Sequence, residues 1–180
     1  MIWMLFMNPG CGWAGNPGDL KLNVPDDIQL TVFAPRVRGA RHMAFDDQGI
    51  LFLSQRRQGS VVALPDLNRD GKADSATVIY EEGEEPHGLA FVQLDSGYYL
   101  YVAEEHRVFR LKRTGKPFTY GKPEVIVPDI PTGGHSTRTI KIKDGRLYLS
   151  TGSSCNVCIE DNPLRAAIWR YDLDGKNGKL

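Results

Sequence analysis

The sequence predicts an all-β chain and, within that class, about three four-stranded blades of a β-propeller. Three observations carry this expectation. One pattern of short apolar runs and Gly turns recurs three times, at about 45–50 residues per repeat, the size of a four-stranded blade. Nineteen glycines and eleven prolines supply many turns. No stretch of useful length repeats its apolar residues at the helical period.

The first repeat opens with Ala40–Phe45 (ARHMAF), turns at Asp46–Gly49, and continues through Ile50–Ser54 and Gly59–Leu64. The second opens with Pro86–Phe91 (PHGLAF), turns at Ser96 and Gly97, and continues through Tyr98–Ala103 and Arg107–Leu111. The third opens with Gly134–Ile140 (GHSTRTI), turns at Asp144 and Gly145, and continues through Arg146–Ser150 to Ile168–Tyr171. β-Branched and aromatic residues fill these runs, and Asp-Gly or Ser-Gly pairs mark hairpins because Gly takes positive φ without steric cost. Ser75–Tyr80 and Glu124–Val127 read as outer, fourth strands. An N-terminal segment, residues 1–24, precedes a propeller domain at 25–180, with blades expected at about 25–80, 81–130 and 131–180.

Lys plus Arg and Asp plus Glu both number 22, so the formal net charge is zero. A protein that holds a nucleic-acid backbone carries a basic excess, so no nucleic-acid partner is expected. No run is long enough to span a membrane. Met1–Met7 (MIWMLFM) is a short apolar stretch ended by Asn8, Pro9, Gly10 and Cys11. It reads as the tail of an export signal, and Gly10-Cys11 resembles a lipoprotein cleavage site that would anchor the chain through Cys11; a mis-chosen start codon is the other reading. Trp169–Gly175 reads as a strand and turn with no partner strand after it. Three blades do not close a ring, so a longer propeller is expected.

His42, His87 and His135 occupy one repeat position, just before the innermost strand of each blade. Equivalent positions surround the propeller axis, so the three side chains are expected to gather at one mouth of the channel. Local backbone satisfaction explains any one of them singly; the coincidence of three points to a site. Zinc or copper is a further reading, weakened by the wide spacing between blades near the axis. His106 follows Glu104 and Glu105 and reads as a solvated turn residue. Gln55, Arg56 and Arg57 end the second strand of the first blade, either at the top face or at a solvated hairpin tip. Glu85 closes an acidic linker and has the same two readings.

Asp66, Asn68, Asp70 and Asp74, around Gly71, have the alternating oxygen spacing of a calcium loop. Asp172, Asp174 and Gly175 recur at the same blade position, which argues for a structural turn instead, and the closing Glu of an EF-hand is missing. Cys155 and Cys158 read as a redox pair, half a metal site or a local disulfide. In an exported protein the disulfide fits best, because no second Cys pair completes a zinc site and no helix follows.

Gly134 and His135 leading to Ile140–Ile142, then Asp144–Ser153 and Ser154–Cys158, resemble the soluble PQQ-dependent sugar dehydrogenases, closest to their glucose/L-sorbosone branch. Ala40–Phe45, Gly71–Asp74 and Pro86–Phe91 resemble that branch too, and the resemblance runs from Val24 onward. It implies a six-bladed propeller with pyrroloquinoline quinone (PQQ) on its top face and bound Ca2+. It implies His135 as the catalytic base, taking the proton of a sugar hydroxyl while hydride leaves to the quinone. An imidazole suits that task near neutral pH. His42, His87, Gln55, Arg56 and Arg138 are expected near substrate or cofactor. Ser153 stands where the family's glucose enzymes carry a carboxylate that orients the histidine. A serine can hydrogen-bond the imidazole but brings no charge, so glucose itself is in doubt as substrate. The family's cofactor-gripping Arg and Lys residues, and its cofactor-bound calcium, belong mainly to later blades, so this stretch alone is expected to be inactive. The resemblance thus implies a periplasmic or extracellular oxidoreductase of carbohydrate metabolism that oxidises an aldose or related hydroxy-aldehyde and passes electrons to an external acceptor. A calcium-dependent lactonase-type hydrolase and a non-catalytic ligand-binding propeller are the alternatives.

Overall fold

A computed structural model describes residue 23 and residues 25–180. The expected N-terminal segment and Cys11 lie outside the described residues. Among the described residues, eleven strands form three antiparallel sheets. Blade 1 comprises β1 (Ala40–Phe45), β2 (Leu51–Gln55), β3 (Ser60–Leu64) and β4 (Thr77–Tyr80). Blade 2 comprises β5 (Gly88–Leu94), β6 (Gly97–Ala103), β7 (Val108–Lys112) and β8 (Glu124–Val127). Blade 3 comprises β9 (Arg138–Lys143), β10 (Arg146–Thr151) and β11 (Ala167–Asp172). In the place of its fourth strand stands a single bridge between Arg170 and Lys179. Each sheet is a meander in sequence order, and β1, β5 and β9 lie side by side as the inner strands. The fold is that of consecutive propeller blades.

Period-two alternation explains how the blades stack. In β6 the side chains of Leu100 and Val102 join Phe52, Val61 and Phe109 in the core between blades 1 and 2. The intervening Tyr99, Tyr101 and Ala103 join Ile140, Leu147 and Leu149 between blades 2 and 3. A strand covered on both faces is apolar throughout, and β6 (GYYLYVA) is buried from its second residue onward. Burial of a side chain such as Leu100 or Phe109, neither with any exposed surface, contributes about 1.5–3 kcal/mol.

The β9–β10 hairpin turns on Asp144 and Gly145, at φ 50° and 69°, the left-handed pair that an Asp-Gly two-residue loop supplies. Two expectations shift in detail. The second hairpin turns on Asp95 and Ser96, and Gly97 already pairs with Leu94 as the first residue of β6. His42 lies inside β1, at a register shift between Ala40 and His42, rather than before the strand.

Candidate active site

His135 sits in the loop between β8 and β9, and three sets of contacts fix its backbone. Its N–H donates to the Ser153 carbonyl at 2.9 Å. Gly152 has no side chain, and a Cβ there would lie 2.5 Å from the His135 Cβ and 2.3 Å from its carbonyl oxygen. Gly134, at φ 67°, is equally tight: a Cβ would lie 2.5 Å from the Ser154 carbonyl. Glycine is therefore required at both positions for the loop after β10 to approach the histidine. The side chain of His135 is exposed.

The third contact comes from Arg138, which has no exposed surface. Its Nε donates to the Glu105 carbonyl at 3.0 Å, one terminal nitrogen to the His135 and Thr137 carbonyls at 2.7 and 3.1 Å, and the other to Pro131 at 2.6 Å. The guanidinium thus ties the His135 segment to blade 2. Burial pulls its pKa down, opposed chiefly by Glu105. Placed by sequence near cofactor or substrate, Arg138 instead spends four of its five N–H groups on backbone.

Of the three repeat-related histidines, the structure brings His42 and His87 together, ring centroids 5.4 Å apart. His87 is 8% exposed, and its Nδ1 lies 3.2 Å from the Arg138 carbonyl. His42 Nδ1 is buried with no partner among the described residues. Burial lowers the pKa of both; Lys141 adds to this for His42, whereas the Arg138 carbonyl opposes it for His87. Both are neutral near pH 7. Arg138 links His135 to this pair: its carbonyl meets the His87 ring and its guanidinium holds the His135 carbonyl.

Ser153 directs its hydroxyl to Glu160, whose carboxylate also takes the Ser154 N–H at 2.7 Å. Those two donors hold the Glu160 carboxyl below the usual carboxylate range. A carboxylate therefore lies beside the serine that stands at this position, bonded to its hydroxyl. Glu160 escaped the motif comparison because it lies seven residues past Ser153, beyond a loop closed by a Cys155–Cys158 disulfide with Cα atoms 5.8 Å apart.

Arg56 opens a single 3-10 turn, Arg56–Gln58, and pairs with Glu85 through Nε at 3.0 Å and through a terminal nitrogen. That same terminal nitrogen meets the hydroxyl of Ser136, the neighbour of His135. Arg56, first, and Ser136 hold the Glu85 carboxyl below its ordinary range. The pair borders a groove of about 570 Å³. Gln55 is a framework residue: it donates to the Arg38 carbonyl at 2.6 Å and accepts from Ser60 at 3.0 Å. His106 lies 3.4 Å from Glu84.

In the Asp66–Asp74 loop the side-chain oxygens serve the loop's own backbone. Asp66 accepts from Asp70 and Gly71, Asn68 from Asp70, Asp70 from Lys72, and Asp74 from Leu67. Among the described residues no three His, Cys, Asp or Glu side chains converge to hold a metal ion. No helix among them is long and apolar enough to cross a membrane.

A family model described as TrAA12-like matches residues 22–176. The chain is similar to the holo form of the pyranose dehydrogenase PQQ domain from Coprinopsis cinerea, with TM-score 0.64 and 22% identity over 76% of this chain and 34% of that one. It is similar to the calcium structure of a Trichoderma reesei carbohydrate-active enzyme of family AA12, with TM-score 0.61 and 22% identity over 77% and 36%. It is similar also to the PQQ-bound aldose sugar dehydrogenase from Streptomyces coelicolor, with TM-score 0.59 and 23% identity over 81% and 48%. These likenesses show the fold, and the chain spans between a third and a half of the length of those structures. No curated protein matches the sequence.

Proposed function

This chain belongs to the TrAA12-like family, and on that premise we propose that the protein is a PQQ-dependent sugar oxidoreductase with His135 as its general base. The observation that carries the reading is the setting of His135: an exposed imidazole on a backbone locked by Ser153, Gly152 and Arg138. A base that must meet a substrate hydroxyl at hydrogen-bond distance needs that rigidity. Glu160 accepts the Ser153 hydroxyl, and this pairing brings a negative charge next to the residue that stands in the carboxylate's place.

PQQ provides the two-electron acceptor in such a protein. Arg56 and Arg138, the two cations expected near it, do not fit as its grip. PQQ carries several carboxylates, whereas Arg138 is spent on backbone carbonyls and Arg56 is neutralised by Glu85. Ligands for PQQ and for Ca2+ are accordingly assigned to blades beyond these three, and the described residues to the substrate side. The aldose or hydroxy-aldehyde substrate, the external electron acceptor and a periplasmic or extracellular location follow from the same reading, the last in keeping with the Cys155–Cys158 disulfide.

The test uses the full-length protein reconstituted with PQQ and Ca2+. Dye reduction is followed with a panel of aldoses, for wild type and His135→Gln. Activity that requires PQQ and falls by about 10²–10⁴ in the variant is the expected result. No PQQ-dependent activity, together with no spectral change on adding PQQ, overturns the reading.

A further inference from the structure

The Cys155–Cys158 disulfide takes no part in the proposed chemistry, yet it closes the segment on which the hold on His135 depends. The loop from Gly152 to Ala166 joins β10 to β11 and meets the His135 loop near both of its ends. At one end the Ser153 carbonyl takes the His135 N–H at 2.9 Å. At the other, Arg165 donates to the Thr132 and Gly133 carbonyls through its two terminal nitrogens. Between them a single oxygen gathers the chain. Glu160 Oε1 accepts the Ser153 hydroxyl, the Ser154 N–H at 2.7 Å and the Ser154 hydroxyl at 3.0 Å.

Little else holds that segment. Val157 and Ile159 are 94% and 97% exposed, and Asn156 and Cys158 are exposed as well. No buried apolar side chain between Ser154 and Glu160 therefore offsets the entropy lost in ordering the segment. The covalent link and the Glu160 carboxylate fix it instead. Opening the link frees the residues that carry Glu160 back to Ser153 and Ser154. The link is also within reach of solvent, since Cys158 is exposed and Cys155 partly so. The Ser154 hydroxyl stands 3.5 Å from the Cys158 sulfur, a donor that favours a thiolate there. A sulfur assisted in this way is the better leaving group, which directs an incoming thiolate to Cys155.

We propose that the Cys155–Cys158 disulfide is a dithiol-reducible latch on the backbone of His135, with Glu160 the positioning residue that the latch holds in place. A dithiol reductant supplies the electrons. One of its thiolates attacks the Cys155 sulfur, the S–S bond breaks, and its electron pair leaves on Cys158 as thiolate. The reductant's second thiolate then attacks its own sulfur in the mixed disulfide and releases Cys155. Two electrons and two protons pass from the dithiol to the cystine, giving two cysteine thiols and an oxidised, cyclic reductant. The consequence for activity rests on the reading of His135 as the base; the latch itself does not.

The test begins on the full-length protein without PQQ. Dithiothreitol is added under native conditions, free thiols are trapped with iodoacetamide, and peptide mapping separates Cys155 and Cys158 from Cys11. The imidazole resonances are followed by NMR in the same samples, with His135→Gln assigning the His135 signal. Both cysteines are expected to be alkylated without denaturant, and the His135 signal to shift or broaden while that of the buried His87 stays in place. Reoxidation restores the spectrum. Cys155→Ser/Cys158→Ser should show the reduced spectrum throughout and ignore dithiothreitol, and Glu160→Gln should move the His135 signal with the disulfide intact. After loading with PQQ and Ca2+, reduction should lower kcat about 10–100-fold, with a smaller change in KM. Alkylation only in denaturant, or complete reduction that leaves the His135 signal unmoved, would each overturn the latch. A His135 signal that answers to reduction in a protein with no PQQ-dependent activity upholds the latch and sinks only the catalytic reading. Activity that His135→Gln abolishes but full reduction leaves unchanged sinks only the latch.

Discussion

Replacing Arg138 by Met keeps much of the side-chain volume and removes every donor. Four hydrogen bonds, to the carbonyls of Glu105, Pro131, His135 and Thr137, are lost together. A carbonyl left without a donor costs about 1–3 kcal/mol, the lower end applying where water can reach it. His135 is exposed and Glu105, Pro131 and Thr137 are partly so, which selects the lower end for each. Against this, the variant no longer buries a guanidinium whose charged form burial disfavours. The balance is a loss of about 2–4 kcal/mol, or about 4–16 °C in Tm for a chain of this size. Thermal unfolding followed by circular dichroism measures it. Arg138→Lys provides the second arm, since an ammonium keeps the charge but not the planar fork, and it should recover only part of the loss. In the reconstituted full-length protein, Arg138→Met should lower kcat more than it raises KM, because it displaces the proposed base. A Tm for Arg138→Met equal to or above wild type, with kcat unchanged, would refute the assignment of this arginine to the His135 backbone.

Gly152→Ala places a methyl within 2.5 Å of the His135 Cβ and carbonyl, an overpacking worth about 1–3 kcal/mol. It should lower Tm and cut dye reduction, whereas Gly115→Ala, with nothing within 4 Å, should leave both near wild type in the same assays. For pH, burial lowers the pKa of His42 and His87 below the ordinary 6.5 of histidine. The unfolded chain then binds protons before the folded one, so these residues contribute full stability above that pH and lose it as pH falls toward the lowered folded values. Urea midpoints measured from pH 8 to pH 5 should decline, and His87→Gln should flatten the decline; an identical slope in the variant would remove His87 from the account.

Alternation and turn chemistry made the blades legible. Tyr98–Ala103 could be read as a strand because a short apolar run rich in aromatic and β-branched residues beside a turn is a local property of the chain; that both its faces are covered became visible only in the stacked blades. The Asp144-Gly145 hairpin was legible for the same reason, since a two-residue loop demands positive φ from those two residues alone. The one-residue shift at Gly97 shows the limit: Ser96-Gly97 and Asp95-Ser96 carry similar turn signals, and pairing with Leu94 decides between them.

The site divides along the same line. Sequence alone marked His135 and the resemblance it sits in, and it placed Ser153 beside it in the motif. It could not show that Ser153 hands its hydroxyl to Glu160, because a loop of seven residues can close in many ways until the disulfide and the Ser154 N–H select one. Nor could it show that Arg138 is consumed by carbonyls while Arg56 pairs with Glu85 and Ser136. Both are arginines at the edge of a strand, and only the packing of one blade against the next sets which guanidinium is buried. Local pattern determines strands and turns through backbone sterics acting over a few residues. Pairings such as Arg56 with Ser136, eighty residues apart, exist only once the blades stack, so tertiary structure alone decided them.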